Sequence, residues 1–204
     1  ILMLCGTEEG GMPRCEPYFP CSPSAPFSTK DFEVNELSRE EVSEELIIRK
    51  LDLVEKEFGN REIDQIHYTG WPDQGAPDES QFPIISKMVE RIIAYVKENP
   101  ESKIIVHCSA GVGRTGSIIT IYNNISAIQY LLQNYEGTYS PYARVSDKFE
   151  FKRTPRVSIF GNVRRLREQR WGMVQTEVQY EFLYRFLDYW IQENILAKYP
   201  PNEQ

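Results

Sequence analysis

The chain has 204 residues, 41% of them apolar and 12% aromatic, and carries a net charge of −7. That size suits one domain, or a large part of one, with a buried core; no apolar run reaches the ~20 residues that span a bilayer, and no basic-then-apolar secretory leader opens the chain. Bulk acidity argues against a general nucleic-acid binder, but a local field of opposite sign can still hold an anionic ligand.

Ile1–Leu4 is apolar and reads as a strand already under way, so further chain is expected upstream. Glu9–Pro26 is rich in Pro, Gly and Cys and reads as loop. Asp31–Leu37, Leu46–Val54 and Glu62–Tyr68 alternate apolar and charged residues, as strands with one wet face do. Trp71–Pro83 is a Pro/Gly loop. Ile84, Ile85, Met88, Val89, Ile92, Ile93 and Val96 then recur at helical spacing until Pro100. Lys103–His107 reads as a short strand, and Gly113–Leu132 as a helix. Asn134–Arg156 is polar and carries several tyrosines without a clear period. Ser158–Arg170 and Thr176–Ala197 read as two further helices. Sheet segments early and helices late suggest an α/β domain, with helices packed on a twisted mixed sheet.

Four cysteines (Cys5, Cys15, Cys21 and Cys108) would allow two disulfides in a secreted protein. For a chain of this size the expected reading is free thiols in a reducing cytoplasm. No Cys or His cluster has zinc spacing, and two histidines cannot build a His-rich metal site.

One stretch concentrates the chemistry: "VHCSAGVGRTGS", Val106–Ser117, between the short strand and the next helix. Backbone N–H groups at a helix start lack helical partners, and glycines at 111, 113 and 116 let the turn curl them inward as an anion-binding nest. The helix dipole adds positive potential there. Arg114 adds a planar fork that fits two oxygens of a phosphate. A thiol at such an edge, normally ionising near ~8.5, is pushed down. Cys108 is therefore expected to be a thiolate aimed at phosphorus, with Thr115 donating toward the sulfur. His107 either steadies the loop or is a hydrogen-bonded buried imidazole. A nucleotide P-loop would need a Lys where this loop has Arg114. A cysteine protease would need a facing His; His107 is adjacent in sequence and should point away, so only His67 remains. A plain strand-to-helix turn would need neither Cys nor Arg.

Phosphate-ester cleavage also needs an acid for the leaving oxygen. "HYTGWPDQGAP" offers Asp73 in a loop anchored by Trp71, with Gly75 as a joint. The same Pro-Asp pair is also ordinary turn chemistry. "QRWGMVQTEVQY" places Gln175 and Gln179 four apart at a helix start, a spacing that puts both amides on one face. There they could hold a water, or cap the helix.

Together "HCSAGVGRTGS", "WPDQGAP" and "GMVQTEVQY" resemble the signature loop, mobile acid loop and glutamine loop of the tyrosine-specific protein tyrosine phosphatases, in that family's order. "TEEGGMPRCEPYFP" is similar to the segment before the family's acid loop. The resemblance implies that Cys108 attacks phosphorus and forms a phosphocysteine. The amides of Ser109, Ala110, Gly111, Val112, Gly113 and Arg114, with the Arg114 side chain, would hold the equatorial oxygens. Asp73 would be acid and then base, and Gln175, helped by Gln179, would align water. By position, Glu9 would pair with Arg114, and Arg14 would lie near the mobile loop. It implies phosphotyrosine-containing proteins or peptides as partners, no cofactor or metal, and cytoplasmic action. The expected unit is a single catalytic domain over 1–204 lacking its N-terminal portion, because nothing here matches the family's phosphotyrosine-stacking loop. Asn134–Arg156 is longer than the family's connection and reads as an insertion. The competing class is a phosphotyrosine-binding module that keeps the fold without turnover.

Overall fold

The computed structural model describes residues 1–22, 25–55, 57, 59–134 and 157–197. Strand β1 (Leu2–Met3) is followed by a small hairpin, β2 (Glu8–Glu9) and β3 (Met12–Pro13), within the segment expected to be loop. Next come β4 (Phe27–Ser28), β5 (Phe32–Glu41), β6 (Leu46–Glu55) and β7 (Gly59–Tyr68). The three long runs read from alternation are therefore strands, each reaching further than its apolar residues suggest. Cross-strand pairing extends them through charged positions such as Glu41, paired with Ile47, and Glu55, paired with Gly59.

Helix α1 (Phe82–Glu98) starts with a proline in its first turn and buries Ile85, Met88, Val89 and Ile92. The stripe read from spacing is its core face. Strand β8 (Val106–His107) is shorter than expected; Lys103–Ile105 precede it outside the ladder, although Ile105 O still accepts from Leu2 N at 2.8 Å. Helices α2 (Gly113–Asn134), α3 (Ile159–Gln169) and α4 (Glu177–Ile191) follow. A π-helical turn, Gln192–Leu196, then ends the run expected to be helical to Ala197. Ser158 caps α3 by accepting from Gly161 N at 3.0 Å. The reading of 134–156 as an insertion falls almost wholly outside the described residues.

Six strands form one mixed sheet in the order β4-β5-β6-β7-β1-β8, and the two strands of the hairpin form a second. β4 to β7 pair antiparallel, whereas β1 pairs parallel with both β7 and β8. β7, β1 and β8 thus lie side by side and point the same way, so their C-terminal ends open onto one edge of the sheet. Ligands of α/β sheets bind at that edge. Trp71, just beyond β7, is 1% exposed and packs edge-on to Phe182 of α4 at 5.1 Å. Phe82 of α1 meets Phe182 and Phe186 at 5.7 and 5.4 Å. Such aromatic pairs contribute about 0.5–1.5 kcal/mol each beyond their buried area. Among the described residues no helix is long and apolar enough to cross a membrane.

Candidate active site

The ends of the three parallel strands each deliver part of one site. β1 leads to Glu9, β7 to Trp71–Asp73, and β8 to Cys108. Between β8 and α2 the chain turns through Gly111, whose φ of 69° is left-handed and suits glycine. The turn closes around the sulfur. Cys108 is 6% exposed, and Thr115 Oγ1 donates to its Sγ at 3.2 Å. Burial by itself would push the thiol up. The Thr115 hydroxyl and the amides of Thr115, Gly111 and Val112 outweigh it and hold the pKa below the ordinary thiol value. Cys5 is the contrast: buried without such donors, it is pushed up to about 12. All four cysteines are free thiols.

Arg114 is 2% exposed, and its fork is fully used. Nη1 and Nη2 donate to the two carboxylate oxygens of Glu9 at 2.6 and 3.0 Å, across 105 residues. Nη1 also donates to Trp71 O, and Nη2 to Asp73 Oδ1, both at 3.1 Å. Burial opposes the arginine's charge, but Glu9 more than compensates and raises its pKa. Burial likewise opposes the charge of Glu9, and the bonds from Arg114 and Gly6 N lower its pKa nonetheless. The pairing of Glu9 with Arg114 expected by position is therefore present in the fold.

Asp73 is drawn inward over this arrangement, its other oxygen 3.0 Å from Arg14 Nη1. Trp71 anchors the loop as expected, donating from Nε1 to Gly75 O at 3.1 Å. Next to Asp73, Gln74 takes a left-handed φ of 55°.

The glutamine pair requires a correction. Gln175 lies outside α4, one residue before the N-cap Thr176, and is exposed; Gln179 is the third helical residue and is 1% exposed. They do not share a helix face. Gln179 Oε1 instead accepts from the backbone N of Gln175 and Thr176, at 2.9 and 3.3 Å, as part of a capping box. Both amides still converge on the cysteine loop: a Cβ at Gly113 would lie 2.8 Å from Gln179 Nε2 and 3.2 Å from Gln175 Oε1. Val174 N donates to Val112 O at 3.2 Å, and a Cβ at Gly116 would come within 2.6 Å of Val174 N. Glycine at 116 is what lets the two loops touch.

Both histidines are committed elsewhere. His107 Nδ1 bonds Cys108 O at 3.2 Å and must donate, which leaves Nε2 to accept from Tyr18 OH at 2.7 Å. His107 thus ties the cysteine loop to the segment after β3. His67 Nδ1 faces Arg49 Nη1 at 3.3 Å, and Nε2 meets Cys5 O at 2.8 Å. The protease reading loses its base, because neither ring nitrogen of His67 is free to face Cys108. Two supports had no sequence signal beyond basic residues near a helix end. Arg170 Nη2 donates to Ala110 O at 3.1 Å, and Arg167 donates to Met173 O and Val174 O at 2.9 and 2.8 Å.

The arrangement therefore holds an acidic thiol under an amide ring, a buried guanidinium and an overhanging carboxylate, with two carboxamides at the rim. The sequence pattern of protein-tyrosine phosphatase matches residues 1–189. The chain is 38% identical over 187 residues to mouse receptor-type tyrosine-protein phosphatase eta, covering 90% of this chain and 13% of that protein. It is 30% identical over 199 residues to rat tyrosine-protein phosphatase non-receptor type 20, covering 97% of this chain and 40% of that protein. The crystal structure of the catalytic domain of human protein tyrosine phosphatase non-receptor type 18 superposes with a TM-score of 0.67 at 30% identity. That match covers 91% of this chain and 58% of that one. A complex of PTPN18 with HER2 phosphopeptides matches with a TM-score of 0.68 at 28% identity, covering 92% of this chain and 56% of that one.

Proposed function

The chain belongs to the protein-tyrosine phosphatase family, and from that premise we propose that it hydrolyses phosphotyrosine in proteins or peptides through a phosphocysteine. The observation that carries this reading is the Cys108 sulfur, taking the Thr115 hydroxyl at 3.2 Å, on the same loop as the Arg114 guanidinium that holds Asp73 at 3.1 Å.

In the first step the Cys108 thiolate attacks phosphorus. The P–S bond forms as the bond to the tyrosyl oxygen breaks, and protonated Asp73 gives its proton to that oxygen. The loop amides of residues 109–114 face the three equatorial oxygens, and Arg114 Nη2 joins them as Asp73 leaves it for the tyrosyl oxygen. In the second step a water held by the Gln175 carboxamide attacks phosphorus. Its proton goes to Asp73, the P–S bond breaks, and phosphate leaves with the thiolate restored. Thr115 stabilises that thiolate through its hydroxyl. Glu9 fixes the fork, Trp71 fixes the acid loop and His107 fixes the cysteine loop. Gln179 supports Gln175 through its backbone N–H. The PTPN18 complex, a phosphopeptide bound to a relative of the same fold, supports the substrate class. Action in the cytoplasm suits the four free thiols. Release of inorganic phosphate from a phosphotyrosyl peptide tests the reading. Turnover is expected on that peptide and not on its phosphoseryl counterpart; equal rates on both, or none on either, would overturn it.

The thiolate makes a separate prediction. A thiol whose pKa is lowered gains its charge at a lower pH than an ordinary one. Iodoacetate alkylation of Cys108 should therefore persist to lower pH than that of an ordinary thiol, whereas Cys5, pushed up to about 12, stays unmodified between pH 5 and 9. Peroxide should likewise reach Cys108 first. Mass spectrometry of peptides alkylated between pH 5 and 9 checks the order; modification of Cys5 before Cys108 would contradict it.

A further inference from the structure

One polar contact joins the acid loop to the glutamine loop without belonging to the chemistry described above. Thr176 Oγ1 donates to Gln74 O at 3.1 Å, across 102 residues. The same oxygen accepts from Gln179 N at 3.2 Å. A hydroxyl has one hydrogen and two lone pairs, so it can serve both partners at once. The acceptor side caps α4, and Gln179 returns the bond by accepting from the backbone N of Thr176 and Gln175. The donor side reaches the residue next to Asp73. Gln74 has a left-handed φ of 55°, a costly conformation for a residue with a side chain, which persists where surrounding contacts hold it.

We infer that Thr176 is a positioning residue that latches the acid loop to the glutamine loop, so that Asp73 and Gln175 are in place together. The inference rests on the phosphatase reading above, because it assigns Asp73 to the leaving oxygen and then to the same water that Gln175 holds. The acid loop is fastened at three successive points. Trp71 O takes Arg114 Nη1, Asp73 takes Arg114 and Arg14, and Gln74 O takes Thr176. The first two fastenings come from the phosphate-binding side. Only the third comes from the element that carries the water-holding carboxamide. Opening the acid loop breaks this bond, and closing it remakes it with Gln175 already fixed by the capping box.

The two uses of the hydroxyl can be separated. Thr176→Ser keeps donor and acceptor. Thr176→Asp keeps an acceptor for Gln179 N but has no hydrogen for Gln74 O. Thr176→Val loses both. Steady-state rates on a phenyl phosphate and on a nitrophenyl phosphate separate acid-loop closure from general damage, because the poorer leaving group depends more on Asp73. Thr176→Asp should lose roughly 2- to 10-fold in kcat on phenyl phosphate, the scale of one net hydrogen bond. It should lose less on nitrophenyl phosphate, while Thr176→Ser stays near wild type. In an Asp73→Asn background, Thr176→Asp should add no further loss. Equal losses on both substrates would mean the hydroxyl only caps the helix, and wild-type kinetics in Thr176→Asp would remove the latch; either overturns the inference. Hydrogen exchange over residues 71–77 with inorganic phosphate bound reads closure even if the chain turned nothing over. Faster exchange in Thr176→Asp, restored in Thr176→Ser, supports the latch, and unchanged exchange refutes it. Failure of wild-type turnover would instead strike at the phosphatase reading itself.

Discussion

Cys108→Ser is expected to abolish phosphate release from a phosphotyrosyl peptide while leaving peptide binding intact. The site lowers a thiol pKa with one hydroxyl and three amides, against the cost of burial. A serine hydroxyl ionises far above any pH at which these few donors could charge it, so no nucleophile remains. The change removes little volume from a residue already 6% exposed, and the amides and Arg114 that would hold the dianion stay in place. The Glu9–Arg114 pair does not touch the sulfur and is unaffected. Phosphate release and equilibrium binding of a fluorescent phosphotyrosyl peptide, measured on one preparation, check the prediction together. Turnover that persists in the variant would exclude the phosphocysteine. Loss of binding with an unchanged thermal midpoint would mean that the sulfur, not the amide ring, carries the affinity. A wild-type chain that bound the peptide with no turnover would be the binding module that the sequence also allowed.

The next largest effect is expected from Asp73→Ala. Here kcat should fall by ~10²–10⁴-fold, the usual worth of a placed general acid, while KM stays level or decreases. Two arginines hold the carboxylate at 3.0 and 3.1 Å, so its position is set by charge on both sides. Removing it leaves Arg14 without that partner and Arg114 still clasped by Glu9. The amide ring and Arg114, which would hold the dianion, stay in place, which is why affinity should not suffer. The loop itself keeps its Trp71 anchor and its Gln74 contact. Steady-state kinetics across aryl phosphates of graded leaving-group pKa check the assignment. The deficit should grow as the leaving group worsens. A loss under tenfold, or one that ignores the leaving group, would count Asp73 as turn chemistry.

Local chemistry alone announced much of this molecule. Alternation over Leu46–Val54 and Glu62–Tyr68 marked strands, and the spacing of Ile85, Met88, Val89 and Ile92 marked the buried face of α1. Both patterns depend only on which side of a short segment meets water. The cysteine loop was legible for a similar reason. A cysteine, glycines and an arginine within one turn act on each other through bonds nearly fixed by the covalent chain. The glutamine stretch was less legible. Spacing of four implied a shared helix face, but Thr176 accepts from Gln179 N and starts the helix there, which leaves Gln175 outside. The choice between helix and cap turns on a single hydrogen bond, and residue spacing does not register it.

The sequence by itself thus determined the parts: a cysteine and an arginine on one glycine-rich turn, an aspartate in a proline loop and two carboxamides. It also determined the elements that carry them. Only the tertiary structure decided that these parts meet. Glu9, Asp73 and Cys108 converge because β1 pairs parallel with both β7 and β8, which brings three distant strand ends to one edge. The contacts that depend on this convergence, Arg114 with Glu9, Arg14 with Asp73 and Thr176 with Gln74, join residues with no local relation to one another. Their energy exists only after the sheet has assembled, because chain entropy keeps such distant groups apart until many weak contacts act together.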